Sequence, residues 1–416
     1  MGPTLIFDKS LLQSLSVDES VFVQQFFIVN VTPIFYVETL GDLDLGQHKG
    51  GRPITDIISA LAAKVSSTAH PNAHHQRIIL GNLLGQKAEM DGRTIVFGGI
   101  TKIDPEGKIG VHFDQTPEQI ALNRWHKGDY SSIEREFSKA WRQTLSNISF
   151  EGMLGVVKNI VGESKLSSPS QVKDFVEGFI NTPKKEVLLI AIELLGVPTE
   201  FQKKIIERWE QDSGITLKDF APYAAFVFEI DLFFYICMLK GFEDRNRPSH
   251  KVDLSYLYYL PFCNVFVSSD KLHKRIAPMF MTGSQLFVDG NEFKEGLQVL
   301  DEYYLQYQDE INEKGFMGFA YQPPKDIPNK ISDIWDKIFP RWRNSKPESS
   351  QKQRDPEEDK KLLEYLKKQQ KESKSIPGNP SAEETHHMVF KHRVPVQKGK
   401  WRILPRGIEN RKNENE

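Results

Sequence analysis

The chain has 416 residues, of which 39% are hydrophobic and 26% are charged, and its formal net charge is −2. This composition predicts a globular protein with enough apolar material for a sizeable core, and it excludes a chain that is strongly basic or acidic as a whole. A local basic groove remains compatible with such a balance. The only cysteines, Cys237 and Cys263, lie in apolar runs. Two thiols exclude a disulfide framework and a structural zinc site, and they favour a reducing compartment.

No targeting segment or membrane span is expected. The N-terminus has no basic region ahead of an apolar stretch, so it differs from a signal peptide. The most membrane-like segment, 223–242, contains Glu229, Asp231 and Lys240, which favours a buried helix of a soluble protein. We expect Glu229 and Asp231 to pair with Lys or Arg side chains. The sequence therefore predicts a cytoplasmic protein without membrane contact.

Strands and helices alternate from the start of the chain. Residues 4–8 predict a short buried strand, and residues 11–27 have helical spacing. The apolar, β-branched run 31–37 predicts a second strand with Glu38 at its end, and a helix directly after it. This order predicts an α/β fold with a mainly parallel central sheet.

The middle of the chain is predicted to be mainly helical from 54 to 242, apart from a β-hairpin at 93–113. A third strand follows at 264–268. The predicted organisation is a core formed by 1–60 and 245–290, a mostly helical insertion at 61–244, a further globular part at 291–343 and a tail at 344–416.

The predicted tail differs in composition from the rest of the chain. Residues 344–416 carry 17 Lys and Arg against 12 Asp and Glu, so their net charge is +5. Most of this stretch buries too little apolar surface to offset chain entropy, which predicts a flexible tail. Apolar residues return at 388–404 and include Trp401. This end is predicted to dock as an extended strand or to bind a protein partner. The helical insertion is a second candidate for binding a protein partner.

Four acids are placed where a site could form. Asp8, Glu38 and Asp270 end the predicted strands, and Asp253 heads a helix. In open α/β sheets the functional crevice lies outside the carboxyl ends of the strands, so these side chains can meet there. Each acid taken alone is also explained as a helix cap or a first-turn acid. Asp42, one turn after Glu38, is expected at the surface.

A cluster of carboxylates raises its own pKa values unless a cation neutralises it. Hard divalent ions such as Mg²⁺ or Mn²⁺ are the natural partners of oxygen ligands. Such ions activate water and stabilise displacement at phosphorus. An acid cluster without His or Cys therefore predicts chemistry on phosphodiesters or phosphoryl groups.

The ordered set of acids resembles the PIN-like nucleases, whose pattern is an Asp after the first strand, a Glu on the next helix, an Asp heading a later helix and a strand ending in Thr/Ser-x-Asp. Asp8 and Glu38 are 30 residues apart, and Asp253 and Asp270 are 17 apart, as this family would have them. The matching segments are Ile6-Phe7-Asp8, Tyr36-Val37-Glu38-Thr39-Leu40, Asp253-Leu254-Ser255-Tyr256-Leu257 and Val267-Ser268-Ser269-Asp270.

The resemblance implies a three-layer PIN-like fold and a metal-dependent endoribonuclease. It implies Asp8, Glu38, Asp253 and Asp270 as ligands of Mg²⁺ or Mn²⁺, and Ser268 as the residue that orients a ligand or the attacking water. Compact members of the family lack the long helical insertion predicted here, so its role stays open. A defence or stress setting suits a chain longer than a stand-alone toxin.

Basic residues adjoin the acids in sequence and are candidates for phosphate binding. The alternative for each is a solvated charged turn. The candidates for nucleic-acid contact, with RNA expected ahead of DNA, are Arg245, Arg247, Lys271, Lys274 and Arg275.

Two other functions stay open. One is a non-catalytic PIN-like interaction module in a larger complex, which the long insertion and the tail favour. The other is a phosphatase with Asp8 as nucleophile, but that chemistry normally uses a second acid two residues later, where this chain has Ser10.

Overall fold

The computed structural model describes residues 2–344 and 400–402, apart from 47–50, 67–70, 97–98, 104–108, 114, 147–149, 213, 245–246 and 248. The described part is an α/β structure that is mostly helical. Its strands are β1 (Thr4–Phe7), β2 (Ile28–Val29), β3 (Ile100–Ile103), β4 (Ile109–His112), β5 (Val265–Ser268) and β6 (Leu286–Asp289).

Four strands form a parallel sheet in the order β2-β1-β5-β6. Leu5 pairs with Val265, and Ser268 pairs with Asp289, so the carboxyl ends of β1, β5 and β6 lie along one edge. Strands β3 and β4 pair antiparallel at the position of the predicted hairpin, whose predicted turn lies outside the described residues.

Helices surround the sheet and make up most of the region between β2 and β5. The described helices are α1 (Lys9–Ser14), α2 (Val17–Phe26), α3 (Pro33–Gly41), α4 (Ile54–Lys64), α5 (His75–Leu83), α6 (Pro117–Trp125), α7 (Ser132–Ser146), α8 (Glu151–Val161), α9 (Pro169–Ile180), α10 (Lys185–Leu194), α11 (Thr199–Gln211), α12 (Leu217–Phe220), α13 (Pro222–Leu239), α14 (His250–Leu257), α15 (Lys271–Phe280), α16 (Gly290–Leu305), α17 (Gln308–Lys314), α18 (Phe316–Phe319) and α19 (Lys330–Ile338).

The predicted second strand at 31–37 is wrong. The strand is the short β2, and most of the run forms α3, with Pro33 at its first turn. A proline fits the first turn of a helix because its missing N–H would have no partner there. Glu38 therefore lies inside a helix and not at the end of a strand.

The sheet separates two hydrophobic clusters because alternate side chains of a strand face opposite sides. Ile6 of β1 and Phe266 of β5 join the cluster that surrounds α13. Leu5 and Val265 join the other cluster, with helices α2 and α16. The core of the chain is therefore layered around β1 and β5.

Helix α13 is long and apolar enough to cross a membrane by length and composition, but 83% of it is buried inside the protein. It is consistent with the core helix of a soluble protein. Its two acids are paired as expected: Glu229 with Lys173 at 2.6 Å, and Asp231 with Lys251 at 2.9 Å.

A short piece of the predicted docking segment contacts the globular part. Trp401 is buried to 1% exposure, and its ring packs against Phe22 and Phe316. Its indole N–H donates to Asp301 at 2.6 Å, and the Lys400 backbone N–H donates to Asp18 at 2.7 Å. Residues 400–402 are not in a strand, and the rest of 388–404 lies outside the described residues.

Candidate active site

Asp8 is held at the edge of the sheet where β1 ends. It caps α1, because its Oδ1 accepts the backbone N–H of Leu11 at 2.8 Å. Its Oδ2 accepts hydrogen bonds from Ser268 at 2.7 Å and from Ser10 at 2.8 Å. The predicted cap and the predicted site residue are thus the same side chain, and Ser268 donates a hydrogen bond to it.

His273 completes this network from the first turn of α15. Its Nε2 lies 2.8 Å from the backbone carbonyl oxygen of Asp253, which can only accept, so Nε2 donates. The hydroxyl of Ser268 gives its hydrogen to Asp8, so the 2.8 Å contact between Ser268 and Nδ1 requires Nδ1 to donate as well. The hydrogen bonds therefore assign a doubly protonated imidazolium to His273.

The charges of Asp8 and His273 stabilise each other. Burial disfavours the charged form of His273 most strongly, but the hydrogen bond and charge of Asp8 outweigh it and raise the pKa of the imidazole. Burial likewise acts against the charged form of Asp8, and His273 with the Leu11 and Ser268 hydrogen bonds lowers the pKa of that carboxyl. Asp8 and His273 form a buried ion pair, with Nδ1 and Oδ2 3.8 Å apart.

Glu38 approaches from α3, which packs against α1 and α14. Its Oε2 accepts a hydrogen bond from the hydroxyl of Tyr256 at 2.7 Å, and its Oε1 lies 3.1 Å from the ammonium of Lys9. Lys9 also contacts Asp42 at 2.9 Å. Asp42 is therefore paired and partly buried, and not at the surface as expected. Burial opposes the charge on Lys9, but Glu38 and Asp42 prevail and raise its pKa.

Asp253 and Asp270 are partly buried and lie on α14 and at the start of α15. Asp253 lies in the first turn of α14, which begins at His250 and not at Asp253. Asp270 caps α15 through its Oδ1, which accepts the N–H of Leu272 at 2.7 Å. Among the described residues, no side chain or backbone group donates a hydrogen bond to the Asp253 carboxylate.

The electrostatics of Asp253 show that the four predicted acids share one neighbourhood. Burial is the largest effect and raises the pKa of Asp253 to about 7. His273 lowers that pKa, whereas the charges of Asp270, Glu38 and Asp8 all raise it. The structure thus brings together the acids that the sequence placed far apart in the chain.

Asp253 and Asp270 line a cleft of about 560 Å³. The basic residues Arg247, Lys271 and Arg275 line the same cleft, and Arg275 pairs with Glu243. In the part of the chain that is described, Arg247 and Lys271 form no ion pair. Lys274 does not line the cleft; it pairs with Asp289 at 2.9 Å. Arg245 lies outside the described residues.

The donor set can be compared with what a hard divalent ion requires. Within the described residues, no three His, Cys, Asp or Glu side chains are grouped so that they could hold a metal ion. Asp253 and Asp270 nevertheless offer carboxylate oxygens to the cleft, and Mg²⁺ usually binds one or two carboxylates and keeps waters or substrate phosphates as its other ligands. The residues present fit a cation held in that way.

The contacts of His273, Lys9 and Tyr256 with the acids were not predicted from the sequence. His273 lies three residues after Asp270, on the first turn of the same helix, and this spacing is a signal that could have been used. Lys9 directly follows Asp8, but its partners lie on another helix. Comparisons with protein-family models, curated proteins and solved structures find no match for this chain.

Proposed function

We propose that this protein is a divalent-cation-dependent nuclease that hydrolyses phosphodiester bonds, with RNA as the expected substrate. The observation that carries the proposal is the arrangement of Asp8, Glu38, Asp253 and Asp270 in one neighbourhood at the carboxyl edge of a parallel sheet, beside a cleft with basic side chains. Two of these acids, Asp253 and Asp270, have no ion pair with a basic side chain among the described residues, so a cation would relieve their mutual repulsion.

Asp253 and Asp270 would hold Mg²⁺ or Mn²⁺, with Asp8 and Glu38 adjacent to them. When bound, such an ion supplies an activated water and stabilises negative charge on a phosphate. Ser268 and His273 act on the protein side: they fix the carboxylate of Asp8 and the backbone of Asp253 through hydrogen bonds of 2.7 and 2.8 Å. These hydrogen bonds hold the Asp8 carboxylate and the backbone of Asp253 in fixed positions relative to each other.

The basic residues of the cleft would bind the nucleic-acid backbone. Arg247 and Lys271 have no acidic partner among the described residues, so their charges are available to phosphates. Phosphate contacts position a nucleic acid without reading its sequence. The cleft therefore supports binding of a phosphodiester backbone close to Asp253 and Asp270, which is the place where the ion would be held.

The direct test is cleavage of labelled RNA and of labelled DNA, with Mn²⁺ or with a chelator. We expect cleavage of RNA with Mn²⁺ and none with the chelator. Asp270→Asn should lower the rate more than about 100-fold, because even the loss of a residue behind a metal ligand costs 10- to 100-fold. Asp289→Asn is the matched control, since Asp289 also caps a helix at the same sheet edge but pairs with Lys274. Full activity of Asp270→Asn would overturn the proposal.

A non-catalytic interaction module is the second candidate. It is favoured by the engagement of Asp8 and Glu38 with His273 and Lys9, which leaves these carboxylates neutralised without any ion. Calorimetry with Mn²⁺ separates the two candidates, because the module predicts no binding. An aspartyl phosphatase is less well supported, because Ser10 donates a hydrogen bond to Asp8 where a second acid would be required.

A further inference from the structure

The acids of the site differ in what neutralises them. Asp8 lies 3.8 Å from the imidazolium of His273, and Glu38 and Asp42 lie 3.1 and 2.9 Å from the ammonium of Lys9. These cations belong to the protein itself. Lys9 is 9% exposed, so it is held within the site and does not extend into solvent.

Each of the three ammonium hydrogens of Lys9 has an acceptor within the site. An ammonium group has three hydrogens to donate. Lys9 directs them to Asp42 Oδ2 at 2.9 Å, to Glu38 Oε1 at 3.1 Å and to the backbone carbonyl oxygen of Glu38 at 3.4 Å. Its backbone is fixed as well, because it is the first residue of α1, directly after the cap Asp8. The ammonium thus has the environment that a bound cation would have.

Asp253 and Asp270 have no such partner. Neither carboxylate forms an ion pair with a lysine, an arginine or a histidine in the described part of the chain, and both line the cleft. Oδ1 of Asp270 accepts backbone N–H groups, and its other oxygen accepts no hydrogen bond from the described residues. Direct ion pairs are therefore present at one end of the acid cluster and, among the described residues, absent at the other, where Arg247 and Lys271 line the cleft without pairing to either carboxylate.

We propose that Lys9 is a built-in cation that occupies the Glu38–Asp42 end of the cluster and thereby limits the site to a single divalent ion, held at Asp253 and Asp270. The inference rests on the proposed function and specifies the ion content of the same site. Metal sites of nucleases that use two ions place them 3.5–4 Å apart between shared carboxylates. Here Glu38 has Lys9 on one oxygen and Tyr256 on the other, so a second ion finds no free carboxylate oxygen on Glu38.

The stoichiometry of Mn²⁺ binding tests this inference without any cleavage assay. Calorimetry should give one ion for the wild-type protein and two for Lys9→Met, since the variant frees Oε1 of Glu38 and Oδ2 of Asp42 while it keeps most of the side-chain volume. Oδ1 of Asp42 stays 3.7 Å from Arg142 in both forms. Lys9→Arg keeps the charge and should bind one ion. Lys64→Met is the matched control, because Lys64 donates to the backbone carbonyls of Leu12 and Gln13, forms no ion pair within the described residues and should leave the value at one. Two ions on the wild type, or one on Lys9→Met, would overturn the inference.

A second pair of variants covers the case in which Lys9→Met does not fold. Glu38→Gln should change the Mn²⁺ affinity of the single site less than about 3-fold, whereas Asp270→Asn should weaken it at least 10-fold. Equal weakening by both variants would overturn the inference while it leaves the nuclease proposal standing. Failure of every form of the protein, Lys9→Met included, to bind Mn²⁺ would overturn the nuclease proposal and the inference with it.

Discussion

Asp253→Asn should make the protein more stable at alkaline pH. The pKa of Asp253 is raised from 3.8 to about 7 in the folded protein, above all by burial. His273 is the next largest influence and lowers that pKa, and the charges of Asp270, Glu38 and Asp8 raise it. Ionising this carboxyl in the native state is therefore unfavourable. Asparagine removes the charge and keeps the shape.

The size of the effect follows from the pKa difference. One pKa unit corresponds to about 1.4 kcal/mol, so the full shift corresponds to about 4 kcal/mol of lost stability at pH 8. Below about pH 4 the carboxyl is protonated in both states and the loss vanishes. Between pH 4 and 7 the unfolded chain ionises while the folded protein resists, so the stability of the wild type falls relative to the variant. Above about pH 7 the difference is constant.

Urea unfolding with a chelator, at pH 5 and pH 8, measures this difference. We expect Asp253→Asn to exceed the wild type by about 2–4 kcal/mol at pH 8 and by less at pH 5. Asp289→Asn is the matched control with the opposite sign, because the hydrogen bond with Lys274 lowers the pKa of Asp289 and its charge stabilises the fold above that pKa. If Asp253→Asn were no more stable than the wild type at pH 8, the reasoning about a crowded acid cluster would be refuted.

Three further predictions concern the ion, the cleft and the docked segment. Mn²⁺ affinity should rise about tenfold per pH unit up to about pH 7 and then level off, because the carboxyl of Asp253 must lose its proton to bind; calorimetry at pH 6 and 8 checks this. Arg247→Gln and Lys271→Gln should each reduce the salt slope of metal-free oligonucleotide binding by about one, with Lys274→Gln as the unchanged control. Trp401→Ala should cost about 3–5 kcal/mol of unfolding free energy, because a fully buried indole is removed from an aromatic pocket; unchanged stability in urea unfolding would contradict this.

Two of the strands that carry the site could be predicted, because a short local pattern of residues is enough to indicate them. Residues 4–8 and 264–268 are short apolar runs bounded by polar residues, and β1 and β5 form there. The run 31–37 was misleading, because its β-branched and aromatic residues are typical of a strand while Pro33 starts a helix. The two-residue strand β2 is fixed by its pairing with Thr4 and Leu5, which no local pattern records.

Asp8 and Asp270 could be predicted because their positions follow from the ends of strands and the starts of helices, whereas the strand end predicted for Glu38 is wrong. Their partners could not be predicted in the same way. The contacts of Lys9 with Glu38 and of Ser268 with Asp8 join residues 29 and 260 positions apart. Such contacts depend on how α3 packs against α1 and on the register of the sheet, which are properties of the folded chain.

The pairing of β1 with β5 has a consequence for how the protein is made. Leu5 and Val265 are neighbours in the sheet, yet a ribosome that adds 5–20 residues per second needs roughly 13–50 s to reach the second after the first. Throughout that interval Asp8 has neither Ser268 nor His273 to hold it, Asp270 has not been made, and Asp253 is added only shortly before the interval ends. The nascent chain therefore carries no assembled active site while it is still close to the messenger RNA that encodes it. The proposed hydrolysis can begin only after translation has passed His273.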